Sequence, residues 1–492
     1  MTGPPADRRL LVVSNRLPVV LREGEEGDWQ VEGATGGLVT AMAPVLQNRG
    51  GVWIGWPGVA AEDEEALREA LARLSADRRY TLKPVLLTTA ERDKFYYGFS
   101  NEVLWPLFHE MPSRCNFHPS YWPAYRAVNR KFAEVIAASA RPDDFVWVHD
   151  YHLMCVGREL RELGVRARTA FFLHIPFPCL DLYVKLPWRR ELLEATLDYD
   201  LVGFQTLRDR RNFVGCVRAL FDDVQVEGVG RVVRLRVGRR QLRVGAFPIG
   251  IDSDAFAREA EAPEVAERAR RIREDARGRQ ILLGVDRLDY TKGIPAKMRA
   301  FRAALARHPE LHRRVTLLQV VVPSREHIPE YYDLKVEIEG LVGRINGEYT
   351  QPGWVPIHYL HRHLDRTELL SYYRAAEIGL VTPLRDGMNL VAKEFCACHV
   401  DEDGVLVLSE FAGAAAQLRT GAVLVNPFDL EGVADAIAAA VGMPAAERRA
   451  RMRRLRRAVR ERDIFWWVDT FLRAAIAQEL QDFPVVNEDA PA

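Results

Sequence analysis

Ile281-Leu282-Leu283-Gly284-Val285, followed by Asp286-Arg287-Leu288-Asp289-Tyr290-Thr291-Lys292-Gly293, then a helical pattern over Ala296–Arg307, then Val315–Val322: this succession decides the fold. The first and last runs are apolar without alternation, as strands are when a layer covers each face of their sheet. A helix between two such runs marks a βαβ unit and therefore a parallel sheet. Runs of the same character recur at Leu10–Ser14, Phe145–His149, Thr169–His174, Leu201–Gln205, Ile378–Thr382, Val405–Ser409 and Ala422–Asn426, with helical periodicity at Glu65–Ala76 and Ala124–Ala138. The expected class is α/β, doubly wound. One sheet would be crowded in 492 residues, and a chain this long accommodates two to four domains.

Gly245-Ala246-Phe247-Pro248-Ile249-Gly250 is the natural junction, because its glycines and proline interrupt any helix. A charged helical segment (Glu264–Arg277) and a fresh strand follow it. The expected domains are 1–244 and 245–462, with a separate terminal segment, 463–492. Asp463-Ile464-Phe465-Trp466-Trp467-Val468 is too aromatic for a solvated tail, so that segment should pack back on the body.

Lys+Arg and Asp+Glu both number 68, a balance that argues against a nucleic-acid-binding surface. Apolar residues make up 48%, enough to bury several cores and to exclude long disorder. No run is long enough to span a bilayer, and Met1–Arg9 lacks a secretory apolar segment, so a cytoplasmic location is expected. The six cysteines are scattered and read as buried free thiols. Cys396-x-Cys398-His399 is at most half of a metal site. The arginine-rich stretch Arg448–Arg462 reads as a solvated helix face with an apolar seam rather than an anionic partner surface.

Two segments stand where an open α/β sheet collects ligands, beyond the carboxyl ends of its strands. In Thr382-Pro383-Leu384-Arg385-Asp386-Gly387-Met388-Asn389-Leu390-Val391-Ala392-Lys393-Glu394, Gly387 permits a tight turn and a helix follows. The start of that helix offers free N–H groups and partial positive charge to a phosphate. Asp386 is placed to accept from a hydroxyl, and Glu394, about two turns into the helix, can hold ribose hydroxyls. A well-capped surface helix fits the same pattern. In the 286–293 segment Arg287 and Lys292 can close on a diphosphate, or pair with Asp286 and Asp289 as a surface salt-bridge cluster. There is no P-loop motif, and Gly36-Gly37 is a short pair that lets backbone approach a ligand. His149-Asp150-Tyr151-His152 suits either a metal or hydroxyl recognition at a strand end. His174, at the end of the next strand, fits a satisfied core histidine as well as a catalytic one.

Taken in order, Ser14-Asn15-Arg16-Leu17-Pro18, Gly36-Gly37, Tyr96-x8-Trp105-Pro106, Trp147-Val148-His149-Asp150-Tyr151-His152, Phe172-Leu173-His174-Ile175-Pro176-Phe177-Pro178, Asp286–Gly293 and Arg385–Leu390 resemble glycosyltransferase family 20, the trehalose-6-phosphate synthase family. The resemblance runs from about residue 9 to about residue 475. It implies a GT-B fold of two Rossmann-like domains facing across a cleft, with the terminal helix packing back on the first. It implies metal-independent, cofactor-free transfer of glucose, with retention, from a nucleotide-diphosphate-glucose to glucose 6-phosphate. UDP-glucose is the favoured donor.

Carried over by position, the resemblance makes Arg287, Lys292, His174 and Asp386 the catalytic set. Gly37, His363, Leu369, Met388, Asn389, Leu390, Val391 and Glu394 join Arg287 and Lys292 around the donor. Arg16, Tyr96, Trp105, Asp150, Gln205 and Arg325 would hold the acceptor. Other family branches use glycerol 3-phosphate, and a silent sugar-phosphate-binding regulator is a third reading, against which the full leaving-group set speaks. Neither nucleic acid nor membrane is an expected partner; self-association is left open.

Overall fold

Two sheets organise the computed structural model, which describes residues 9–23, 29–33, 37–59, 64–76, 78–324 and 328–476. The chain divides into two units, one of residues up to Pro248 together with those from Trp467 onward, the other Ile249–Trp466. The first division falls four residues beyond the expected 244/245, because Arg240–Ala246 is still a strand of the first sheet, and the second, expected at 462/463, falls within the helix Ile464–Ile476.

In the first unit the sheet runs Tyr80–Pro84, Gly51–Trp56, Leu10–Arg16, Phe145–His149, Arg168–Phe172, Leu201–Phe204, Arg240–Ala246, Val232–Val237, Val224–Glu227. The first seven are parallel and the last two antiparallel. Leu10–Val13 and Phe145–His149 are buried throughout, as central strands covered on both sides must be. At the other edge Val237 pairs with Arg240 around a two-residue turn in which Gly238 has φ 54°. A positive φ there matches the twist of the hairpin.

The second unit's sheet is wholly parallel, in the order Ile357–His361, Val315–Val322, Gln280–Arg287, Ile378–Val381, Val405–Ser409, Val423–Val425. Numbered along the chain within the unit, these strands lie 3-2-1-4-5-6, the doubly wound order. The core between sheet and helices includes Leu282, Leu317, Ile378, Leu380 and Val407 with Met298 and Phe301 of helix Ile294–Arg307. The fold is GT-B. In the arginine-rich helix Ala445–Glu461, Met452, Leu455 and Val459 form the buried seam.

The terminal helix Ile464–Ile476 places Trp467 and Phe471, both fully buried, in the first unit. Phe471 stacks on Trp147 at 4.4 Å and 7°, and Trp467 meets Phe172 edge-on at 5.0 Å and donates Nε1–H to Phe247 O at 3.0 Å. Trp467→Ala should therefore cost about 3–5 kcal/mol, read as a lowered urea midpoint of the first unit's unfolding. A loss below about 1 kcal/mol would mean that this helix is not part of that core.

Among the described residues no helix is long and apolar enough to cross a membrane. All six cysteines are free, but the expectation that all are buried needs correction: Cys115 is half-buried and Cys179 is exposed. Cys179 stands just before the short helix Leu180–Tyr183, outside any apolar strand or helix face.

Candidate active site

The second unit's strand order reverses between Gln280–Arg287 and Ile378–Val381, which pair directly through Leu282 and Ile378. At such a reversal the loops leaving two adjacent strands part and open a crevice. The loops leaving these two strands are the segments singled out above. They are stitched together by Leu384 N donating to Thr291 O at 2.9 Å. Gly293 has φ 63°, and a side chain there would crowd Leu384 Cγ at 3.0 Å and Thr382 O at 3.1 Å, so glycine is required by both conformation and space.

Arg287, with its side chain 41% exposed, donates Nη2–H to Asp289 Oδ2 at 2.9 Å. Asp289 is fully buried, and its other oxygen accepts from Thr291 N at 3.0 Å and Thr291 Oγ1 at 2.8 Å. One carboxylate thus closes the turn and aims the guanidinium. Lys292 Nζ is paired with Asp386 Oδ2. Asp386 also accepts from Met388 N and Asn389 Nδ2, each at 3.2 Å. Asp286, a candidate partner for these cations, is instead bound by Lys297 and by Gln319 Nε2 at 2.9 Å. Its side chain turns into the interior, where it is 5% exposed.

The turn before the next helix differs from expectation. Its left-handed residue is Asn389 (φ 59°), not Gly387, and the Asn389 side chain accepts from Ala392 N at 3.2 Å. Asparagine tolerates this conformation because its short side chain bonds locally. The helix is Leu390–Cys398, so Glu394 lies just over one turn in rather than two. Leu390 and Val391 supply amides in the first turn, where no intrahelical acceptor is available. Glu394 accepts from Tyr373 Oη at 2.7 Å, and burial raises its carboxyl above the ordinary value although the Tyr373 hydrogen bond opposes this. His363 is exposed beyond the end of Ile357–His361, and Leu369 is half-buried on helix Arg366–Ala375. The strand that His363 follows lies two places from that of Arg287 in the sheet, about 10 Å at the usual strand spacing.

In the first unit the order reverses between Leu10–Arg16 and Phe145–His149. Arg16 ends the former, and Asp150 follows the latter with φ 75°, a conformation that costs a residue with a side chain. Asp150 Oδ1 accepts from His174 N at 3.2 Å, and Asp150 N donates to Phe172 O at 2.8 Å. Arg16 Cζ lies 4.1 Å from the centroid of the Trp56 ring and 5.9 Å from that of Tyr96. Tyr96 stacks on His152 at 5.8 Å and 11°, His152 touches Tyr151 at 3.9 Å, and Tyr151 meets Trp105 at 5.6 Å. Arg16, Tyr96 and Trp105 are therefore joined in one aromatic run. Tyr96 and its neighbours lie on a π-helix, Arg92–Leu104, a wide turn often retained where a side chain must be re-aimed.

Glycosyltransferase family 20 matches residues 8–477. The chain belongs to glycosyltransferase family 20. It is 45% identical over 488 residues to a trehalose-6-phosphate synthase of Mycolicibacterium smegmatis, an alignment covering 98% of this chain and 95% of the relative. Among solved structures it resembles an α,α-trehalose-phosphate synthase (UDP-forming) from Burkholderia xenovorans in complex with glucose-6-phosphate. That match has 37% identity and a TM-score of 0.85, covering 95% of this chain and 99% of that one. It also resembles the E. coli protein bound with UDP-2-fluoro glucose, at 36% identity and a TM-score of 0.85, covering 95% and 98%.

This family-20 glycosyltransferase has site neighbours that its sequence did not single out. Trp56 carries the Arg16 cation, and its place at the end of the strand Gly51–Trp56 was the available signal. Gly58 (φ 93°) leaves room for that cation, since a Cβ there would fall 1.7 Å from Arg16 Nη1. Asp289, whose sequence context suits a surface ion pair, is instead fully buried. Arg325 and Gly36 lie outside the described residues, and Gly37 begins the helix Gly37–Arg49. Among the described residues no group of three or more His, Cys, Asp and Glu side chains could hold a metal ion.

His174 is 2% exposed. Its Nε2 lies 3.1 Å from His149 Nδ1, and its Nδ1 lies 3.3 Å from Gln205 Nε2. Burial lowers His174 to about 3, and burial with the neighbouring His174 holds His149 well below its ordinary 6.5. Both are neutral in the folded chain at pH values where unfolding would let them protonate. The contribution of His174 is therefore fully present above about pH 6.5 and is lost as pH falls from there toward about 3, and that of His149 falls in the same direction. Urea midpoints should fall between about pH 7 and about pH 5, with a slope approaching 1.4 kcal/mol per pH unit for each such histidine. Midpoints unchanged over that range would contradict the burial of neutral imidazoles.

Proposed function

We propose that this chain transfers glucose from UDP-glucose to glucose 6-phosphate with retention at the anomeric carbon, releasing UDP and forming α,α-trehalose 6-phosphate. One observation carries the reading: Arg287 and Lys292 share the segment that leaves strand Gln280–Arg287 at the strand-order reversal of the second unit, where the adjoining loop brings Asp386 and a helix start. Breaking the anomeric bond builds negative charge on the departing diphosphate and positive charge on the sugar. A guanidinium already aimed by Asp289, an ammonium and the amides of Leu390 and Val391 stabilise the first without reorganising during the step. Met388 and Asn389 complete that turn, Glu394 receives the ribose, and His363 and Leu369 flank the base. The resemblance assigns hydroxyls of the transferred glucose to Asp386 and to His174, and adds Gly37 to the donor's contacts.

The first unit takes the acceptor. Arg16 is the phosphate partner there, backed by Trp56, with Tyr96, Trp105, Asp150 and Gln205 around the sugar; Arg325, outside the described residues and in the second unit's stretch of sequence, is carried over from the resemblance as a second phosphate contact. No protein nucleophile is invoked; the leaving phosphate takes the proton of the acceptor hydroxyl. The UDP-2-fluoro glucose bound by the E. coli relative and the glucose-6-phosphate bound by the Burkholderia relative support the choice of substrates.

The test crosses UDP-, GDP- and ADP-glucose with glucose 6-phosphate and glycerol 3-phosphate, identifying each product by NMR. The expected result is fastest turnover with UDP-glucose and glucose 6-phosphate, with both anomeric centres of the product α. Turnover with glycerol 3-phosphate alone would overturn the acceptor assignment, a β linkage would overturn retention, and no transfer at all would point to a binding protein.

A further inference from the structure

The paired imidazoles of the first unit pose a proton-counting problem whose solution assigns a role to His149. His149 ends the strand Phe145–His149 directly opposite Phe172, and this register brings its ring against His174. The His149 side chain is fully buried, packed against Trp147 at 4.8 Å. Both rings are neutral, so the 3.1 Å contact between His149 Nδ1 and His174 Nε2 holds one proton. His149 Nε2 is buried with no hydrogen-bond partner among the described residues.

If His174 were the donor, His149 would carry its proton on Nε2, leaving a buried N–H unpaired. That costs about 1–3 kcal/mol and is rarer in proteins than an unpaired acceptor. With His149 as donor, Nε2 is a bare lone pair, and the proton of His174 must lie on Nδ1, facing the Gln205 amide 3.3 Å away. That amide presents its oxygen to an N–H after a half-turn about its last torsion. Asp150, the nearby carboxylate, directs Oδ1 to the backbone N–H of His174.

We propose that His149 is a positioning residue: by donating Nδ1–H to His174 Nε2 it fixes His174 as an N–H donor at Nδ1, where a sugar hydroxyl oxygen replaces Gln205. This rests on the role given to His174 under the proposed function. The proton pattern itself can be measured without turnover.

The experiment labels the full chain with 15N-histidine and reads the long-range proton–nitrogen correlations of His174, assigned by loss in His174→Gln. A protonated Nδ1 and a bare Nε2 are expected; the opposite tautomer, or an imidazolium, would overturn the proposal whatever the activity. In parallel, His149→Leu should lower kcat about 10–100-fold, with little change in the KM for glucose 6-phosphate. His149→Asn, whose amide N–H takes the place of Nδ1–H, should recover most of the loss. If Asn and Leu lose equally while both stay folded, the donor role is wrong. If His174→Gln itself keeps full activity while the tautomer is as stated, the failure lies with the role given to His174, not with the pairing.

Discussion

Arg287→Ala is expected to lower turnover by about two to three orders of magnitude while leaving the chain folded. The size follows from removing one preorganised charged donor from a developing oxyanion. Stability should be nearly unchanged, because the side chain is 41% exposed and Asp289, its partner, keeps both bonds from Thr291. Arg287→Lys should recover only part of the rate, since a point charge cannot reproduce the planar fork that Asp289 orients. The measurements are kcat at saturating donor and acceptor and the urea midpoint of each variant. A folded Arg287→Ala enzyme with near-normal kcat would remove the residue from the leaving-group role. A loss confined to donor KM would reduce it to ground-state binding.

Arg16→Ala should act on the other substrate, raising the KM for glucose 6-phosphate about 10–100-fold and leaving the donor KM near its original value. A charge-assisted bond to phosphate is worth about 1.5–3 kcal/mol, which sets that range. The geometry supplies a second variant that leaves Arg16 in place. In Gly58→Ala the new Cβ would occupy the space of the guanidinium, 1.7 Å from Nη1, so the same acceptor-specific defect is expected. Equal weakening of both substrates in these variants would indicate a distorted unit rather than a lost phosphate contact.

Much of the architecture is legible in the sequence because central parallel strands are buried on both faces. Val315–Val322 and Ile281–Val285 therefore appear as mainly apolar runs without alternation, broken in the first only by the buried Thr316 and Gln319. Strands with a wet face lack that signature. Tyr80–Pro84 alternates buried and exposed residues, and Val232–Val237 and Arg240–Ala246 intersperse arginine with valine and leucine. None of these was expected as a strand.

Periodicity also says nothing about which strand lies beside which. That Ile378–Val381 neighbours Gln280–Arg287, nearly a hundred residues earlier, follows only from the sheet, and this pairing brings Lys292 to Asp386. The same holds for His149 and His174 and for the stack linking Arg16, Trp56, Tyr96 and His152. Their residue types and strand-end positions were legible; their meeting was not. Asp289 shows the limit within a single motif, because a short charged segment reads alike whether its carboxylate is solvated or, as here, buried and aiming a neighbour.

The central claim is that Arg287 and Lys292 receive the departing diphosphate at the strand-order reversal of the second unit. A crystal structure of the enzyme with UDP tests it most directly. The account predicts the β-phosphate within about 3 Å of the Arg287 guanidinium and Lys292 Nζ, with Lys292 drawn from Asp386 toward the phosphate. UDP bound elsewhere, with Lys292 still paired to Asp386 and no phosphate on the Arg287 guanidinium, would contradict it.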